Sequence, residues 1–251
     1  MKHNLDLKKL FELAFENHKN GNLPVAEKFY KQILNQDSEH FDSNFYLSAL
    51  FMQIKKFDEA KVLIQKGLKI QPKNVDLYNA LGLIFNESKN FEESIKYFKK
   101  AIKIKENYIT AHNNLGLIFS TLKKYNEAIK CFESAIQIDK KCIPAYNNLG
   151  NIYQELDNID MAINCYQKAL NYNSNNHRAH YNLGLLFTKV KNLNKAIDCY
   201  RNAIRINPNF KDSYTAYGNI LLNLNKHKEG LENIKKGCGF IKFNENNFSI
   251  I

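Results

Sequence analysis

Apolar residues recur along this chain at helical spacing, in two consecutive runs at a time. Between residues 109 and 142 the first run is Ala111, Leu115, Ile118 and Phe119, and the second is Ala128, Ile129, Phe132, Ala135 and Ile136. Both follow the i, i+4, i+7, i+8 pattern of one helix face, and the polar stretch from Lys123 to Asn126 divides them. The pattern therefore predicts a helix A and a helix B, each of roughly a dozen residues or more. The pair returns every 34 residues: the phrase "AHNNLG" at 111–116 reappears as "LYNALG" at 77–82, "AYNNLG" at 145–150 and "AHYNLG" at 179–184. On the same grid Gly82, Gly116, Gly150 and Gly184 are followed by Gly218 and preceded by the small residues Ser48 and Ala14. A fixed period outranks the prior from length that 251 residues make one or two globular domains. Seven units are expected, at 7–40, 41–74, 75–108, 109–142, 143–176, 177–210 and 211–244. A lead-in covers 1–6 and an apolar tail covers 245–251, with repeat character fading from about 238. The expected fold class is all-α, a solenoid of helix pairs.

Breakers agree with this division. Pro24 and Pro144 fall in the first turn of a helix, where a missing N–H costs nothing, and Pro72 and Pro208 fall between a B helix and the next A helix. Acids such as Asp58, Glu59, Glu92, Glu93, Glu127 and Asp160 gather at the starts of B helices, opposite the positive end of the helix dipole. Glycine inside a helix costs about 1 kcal/mol relative to alanine, so the grid glycines require a compensating contact. Close approach of helix B at Ala128, Ala162 and Ala196 is the expected one.

The arrangement resembles the tetratricopeptide repeat family. Tyr146, Leu149, Gly150, Tyr153, Ala162, Tyr166 and Ala169 fit its signature in one unit, and His180, Leu183, Gly184, Phe187, Ala196, Tyr200, Ala203 and Pro208 fit it in the next. Departures concentrate at the ends: Asn17 replaces an aromatic residue in the first unit, and Gly230 and Ile234 replace alanine and an aromatic residue in the last. His112 and His180 stand at the first aromatic site and are expected to pack as flat rings. The resemblance implies antiparallel helix pairs wound into a right-handed superhelix, with A helices lining a concave groove that holds a protein or peptide partner.

Subtracting the packing positions leaves groove-facing residues of helix A, which in the family include the second, fifth, sixth, ninth and thirteenth of each unit. These supply Asn79, Asn113 and Asn147 at the fifth position, Asn114, Asn148 and Asn182 at the sixth, and Asn151 at the ninth. An amide side chain both donates and accepts, so such a ladder can hold the backbone of an extended peptide without selecting its side chains. Filling of exposed positions by asparagine without a role is the competing explanation. Substituting Asn114, Asn148 and Asn182 by alanine is expected to weaken capture and to leave melting nearly unchanged. In style the ladder is similar to the tetratricopeptide arm of O-linked N-acetylglucosamine transferases. A carboxylate clamp, as in chaperone-binding members, is not expected, because the matching places hold mostly Asn, Ala, Tyr and Leu.

Composition adds exclusions. The net charge of +11, from 36 basic and 25 acidic residues, would suit an acidic partner, yet no nucleic-acid motif accompanies it and no specific nucleic-acid binding is expected. Many basic residues, such as Lys66, Lys100, Lys168 and Lys236, or Lys69, Lys103 and Arg205, fall late in helix B, where they favour the helix C-terminus. Cys131, Cys165 and Cys199 lie one period apart, too far for disulfides on stacked units, and are expected to be packed, reduced thiols. No phosphate loop, metal-ligand spacing or nucleophile elbow is present, so the chain is expected to need no cofactor, bind no metal and catalyse nothing. It lacks an apolar run long enough to cross a bilayer and is expected to be soluble and cytoplasmic. Two functions remain in view: a non-catalytic scaffold, or the substrate-recognition arm of a modifying enzyme such as an O-linked glycosyltransferase. Self-association through the end repeats is left open. The tail "GCGFIKFNENNFSII" loses the helical period and is expected to fold back over the last B helix; the alternatives are that it docks on a partner or once joined a catalytic domain.

Overall fold

The computed structural model describes residues 6–239 together with the backbone of 241–244 and 247–250. It forms two compact units, Met1–Cys131 and Phe132–Ile251, and the chain passes from one to the other within a helix. The first unit contains α1 (Leu7–Lys19), α2 (Leu23–Gln36), α3 (Phe41–Gln53), α4 (Phe57–Ile70), α5 (Val75–Glu87), α6 (Phe91–Ile104), α7 (Ile109–Thr121) and the start of α8 (Tyr125–Ile138). The second contains the rest of α8, then α9 (Ile143–Glu155), α10 (Ile159–Tyr172), α11 (His177–Lys189), α12 (Leu193–Ile206), α13 (Lys211–Asn223) and α14 (His227–Cys238). Odd-numbered helices are A and even-numbered helices are B. Within each unit A helices pack on the B helices that follow, as in α1 on α2 or α11 on α12, and B helices pack on the next A helices, as in α2 on α3 or α12 on α13.

The turn between A and B is built the same way every time. Lys55, Lys89, Lys123, Asp157, Lys191 and Asn225 have φ between 57° and 61°, and Gly21 occupies the corresponding place with φ 78°. That left-handed residue lets the chain reverse. In the α5–α6 turn Lys89 N–H bonds Asn86 C=O and Asn90 N–H bonds Phe85 C=O, the paired closure of a Schellman motif. A side chain in this conformation costs about 1–2 kcal/mol, so six of the seven turns accept strain that only Gly21 avoids. Asn90, Asn158 and Asn192 then cap the B helices by accepting from the N–H of Glu93, Met161 and Lys195.

The turn between B and the next A is held from a different place, the fourth residue of the A helix. Tyr78 hydroxyl donates to Pro72 C=O at 3.0 Å and Asn44 Nδ2 donates to Ser38 C=O at 3.1 Å, each reaching back six residues. His112 and His180 do the same through Nε2, at 2.8 Å from Glu106 C=O and 3.1 Å from Ser174 C=O. A carbonyl only accepts, so the hydrogen of each ring sits on Nε2. These histidines are turn latches and do more than pack flat. Burial, aided by the nearby Arg205 cation and opposed by the Ser174 bond, holds His180 below the usual imidazole range.

Large side chains of the B helices fill the space behind the A helices. Tyr30, Phe98, Phe132, Tyr166 and Tyr200 are among the largest fully buried residues. In the second unit Ala162, Tyr166, Leu183, Leu186, Tyr200, Ile220 and Leu221 belong to one core cluster. The grid glycines accommodate these rings: a Cβ on Gly150 would lie 2.6 Å from the Tyr166 ring, and one on Gly184 would lie 2.5 Å from the Tyr200 ring. The ring, and not the alanine of helix B, is thus the contact that demands glycine.

The first A helix differs from the other six on one face. Leu50, Ile84, Ile118, Ile152, Leu186 and Ile220 are all buried, whereas the matching residue of α1 is Glu16, which is exposed. Lys9 likewise stands exposed where Ser43, Leu77, Ala111, Ala145, Ala179 and Ser213 are buried. At the other end the chain leaves helix altogether. Strands β1 (Ile241–Asn244) and β2 (Asn247–Ile250) pair antiparallel, with Ile241 opposite Ile250 and Phe243 opposite Phe248. The side chains of this hairpin, with Phe240 and Ile251, lie outside the described residues, so the expected cover over the last B helix does too.

Candidate functional site

The A helices of the first unit touch one another directly, α1 with α3, α3 with α5 and α5 with α7, and successive B helices approach less closely. A stack that is tighter on one side curves toward it, which makes the A face the inner one within this unit. On that face the asparagines are brought together unequally. Asn79 is buried at 8% exposure and its Oδ1 accepts from Asn114 Nδ2 at 2.9 Å, tying α5 to α7. Asn113 is half-buried and also has a partner.

In the second unit Asn151 is exposed, and its Oδ1 accepts from both Tyr166 hydroxyl, at 2.6 Å, and Asn182 Nδ2, at 3.2 Å. Asn182 therefore ties α11 to α9. Asn148 is half-buried with a partner of its own, and Asn147 is half-buried with its Oδ1 shielded from water and unbonded. The asparagines are thus not a uniform ladder. In both units a sixth-position amide crosses to the preceding A helix, so part of its bonding capacity is committed to architecture.

Sequence reasoning passed over a second set of residues on the same face. Phe11, Phe15, Phe45 and Tyr46 form an aromatic group across α1 and α3, with ring centroids 5.0 Å apart for Phe15 and Tyr46 and 5.7 Å apart for Phe11 and Tyr46. Phe15 remains 40% exposed. The ninth residues of α1, α3, α5 and α7 are Phe15, Ala49, Leu83 and Leu117, an apolar column in which Leu117 is 41% exposed. The signal was available, since these four lie on the 34-residue grid.

Charge is distributed as unevenly. Helices α3, α5 and α7 contain no lysine or arginine, in a chain with 36 of them, and their acids Asp42, Asp76 and Glu87 are all exposed. Asp76 also accepts from the Tyr108 hydroxyl at 2.6 Å. Several lysines of the B helices sit on rings, Lys100 at 4.5 Å from the Tyr78 centroid and Lys168 at 5.9 Å from that of Tyr146. Burial pushes the thiols of Cys131, Cys165 and Cys199 up to about 11, so they are protonated and unreactive near neutral pH. Among the described residues no group of three or more His, Cys, Asp and Glu is placed to hold a metal ion, and no helix is long and apolar enough to cross a membrane.

Family models for the tetratricopeptide repeat match residues 74–141, 143–176, 177–210 and 199–232. The chain belongs to the tetratricopeptide repeat family. Solved structures agree on the α-α solenoid. A tetratricopeptide repeat protein from Parabacteroides merdae superposes with TM-score 0.70 at 15% identity, covering 96% of this chain and 94% of its own. Pseudomonas aeruginosa PilF gives 0.71 at 19%, covering 79% and 90%. MamA gives 0.57 at 26% identity, covering 62% of this chain and 92% of its own. A comparison with curated proteins finds none that matches. Tetratricopeptide repeats mediate protein and peptide interactions, and the family is typically non-catalytic.

Proposed function

We propose that this protein is a non-catalytic interaction scaffold that holds an extended peptide or partner segment against its A helices, counted as repeats 7–40 through 211–244. The observation that carries the reading is the inner A face of the first unit, where the ninth residues Phe15, Ala49, Leu83 and Leu117 form an apolar column beside the exposed acids Asp42, Asp76 and Glu87. Asparagines serve as backbone-holding groups on the A helices of each unit: Asn79, Asn113 and Asn114 beside those residues in the first, and Asn147, Asn148, Asn151 and Asn182 in the second. YrrB, whose published description is a tetratricopeptide repeat protein with an unusual peptide-binding site, is compatible at the level of fold. The arm of a modifying enzyme has no observation that favours it over the scaffold, because the asparagines that suggested it are partly bonded to each other.

Photo-crosslinking tests the reading. A benzoylphenylalanine placed at Leu117 on the A face should capture a partner segment in the native cell, and one placed at Lys103 on α6 should not. Equal capture from both positions, or capture only from Lys103, refutes the groove.

A further inference from the structure

We infer that the A face of the first unit selects an extended segment carrying an apolar side chain at about every third residue and lysine or arginine between them. This rests on the groove reading above and specifies what the groove takes. The column Phe15, Ala49, Leu83 and Leu117 offers one apolar contact per A helix, and its end members are 40% and 41% exposed. Packed helices lie roughly 8–10 Å apart. A chain extended as polyproline II advances about 3.1 Å per residue with three residues per turn, so it passes one helix and turns a side chain to the same face every three residues or so.

Charge chooses among the extended segments that could satisfy this spacing. Helix α3 presents Asp42 and α5 presents Asp76 and Glu87, and neither these nor α7 carries Lys or Arg, although the whole chain carries a net charge of +11. An acid-lined face repels carboxylate-rich peptides and phosphate backbones alike and attracts cationic ones. The basic residues gathered on the B helices therefore say little about the ligand. At the aromatic end α1 carries Lys8, Lys9 and Lys19 against Glu12 and Glu16, so the acidic character belongs to α3 and α5.

A random dodecapeptide library displayed on phage and selected on the immobilised full chain tests this. Retained sequences should show apolar residues at a three-residue interval and an excess of Lys and Arg. Their affinity should fall at least tenfold with Leu117→Ser, and several-fold with the surface pair Asp42→Lys and Glu87→Lys, the latter only at low salt. Circular dichroism of each variant confirms folding. Retained sequences that are acidic, lack the interval, or lose affinity with Asn114→Ala but not with Leu117→Ser overturn this inference and leave the groove reading standing. If nothing is retained, or all variants retain the same peptides equally, both fail.

Discussion

Substituting Gly150 by alanine asks whether close approach of a ring really dictates glycine in the A helices. Alanine improves helix propensity by about 1 kcal/mol. Against that, its Cβ would stand 2.6 Å from the Tyr166 ring, a separation that requires movement. The ring is fully buried, and its hydroxyl is held by Asn151 at 2.6 Å and Gln154 at 3.4 Å, so it has little freedom to retreat. Overpacking of this kind costs about 1–3 kcal/mol, which leaves a net loss of roughly 0–2 kcal/mol once the helix gain is subtracted. In a Tyr166→Leu background the clash is gone and the same substitution should stabilise by about 1 kcal/mol. The two changes are therefore coupled by about 1–3 kcal/mol. Stability in a repeat stack is a sum of neighbour terms and melting need not be two-state, so amide hydrogen exchange in α9 and α10 is the assay, with denaturant melts as a check. A Gly150→Ala effect of the same sign and size in both backgrounds would refute the argument.

Lys89→Gly should raise stability by up to about 1 kcal/mol, because it removes the left-handed strain at some cost in unfolded-state entropy, while Lys89→Val should lower it; thermal melts decide. His180 is kept below its usual range by burial, so an unfolded chain binds a proton there more readily than the native one. Its contribution should be complete above about pH 6.5 and lost as pH falls from there. His180→Tyr, which retains a donor for Ser174 C=O, should flatten that acid-side loss in a series of melts against pH. At pH 8 iodoacetamide should alkylate native Cys131, Cys165 and Cys199 about a hundredfold more slowly than the unfolded chain, from thiolate fraction alone; equal rates would contradict their burial. Asn114→Ala should cost about 1–3 kcal/mol, since it strips the buried Asn79 of a donor. The expectation of unchanged melting for the asparagine variants gives way to this.

Why the helices were readable and the site was not follows from range. Helix pairing rests on the 34-residue period, on Gly150 and Leu149 at fixed places and on prolines at helix ends, all of which are local. The bond from Asn114 to Asn79 spans 35 residues and the bond from Asn182 to Asn151 spans 31, offsets that straddle the period. The columns Asn79, Asn113, Asn147 and Asn114, Asn148, Asn182 do not show which amides join. The histidine latches were equally hidden, because the partner of His112 is a backbone carbonyl, which any residue type could supply. Phe15 and Leu117 were visible as apolar letters, but only their exposure distinguishes them from core. The hairpin could have been found: Ile-Lys-Phe-Asn followed by Asn-Phe-Ser-Ile alternates with period two, which is a strand signature.

The charged outer face of α1 bears on how copies of this protein behave in a crowd. A stack built from similar helix pairs invites its own extension, since a second molecule could add to the first as one more pair and repeat the contact without closure, which makes fibres. Lys9 and Glu16 stand where such an addition would need apolar side chains, and stripping water from them costs on the order of several kcal/mol per ion. Two exposed charges thereby oppose the docking of a further helix pair against that face of α1, whichever molecule would supply it.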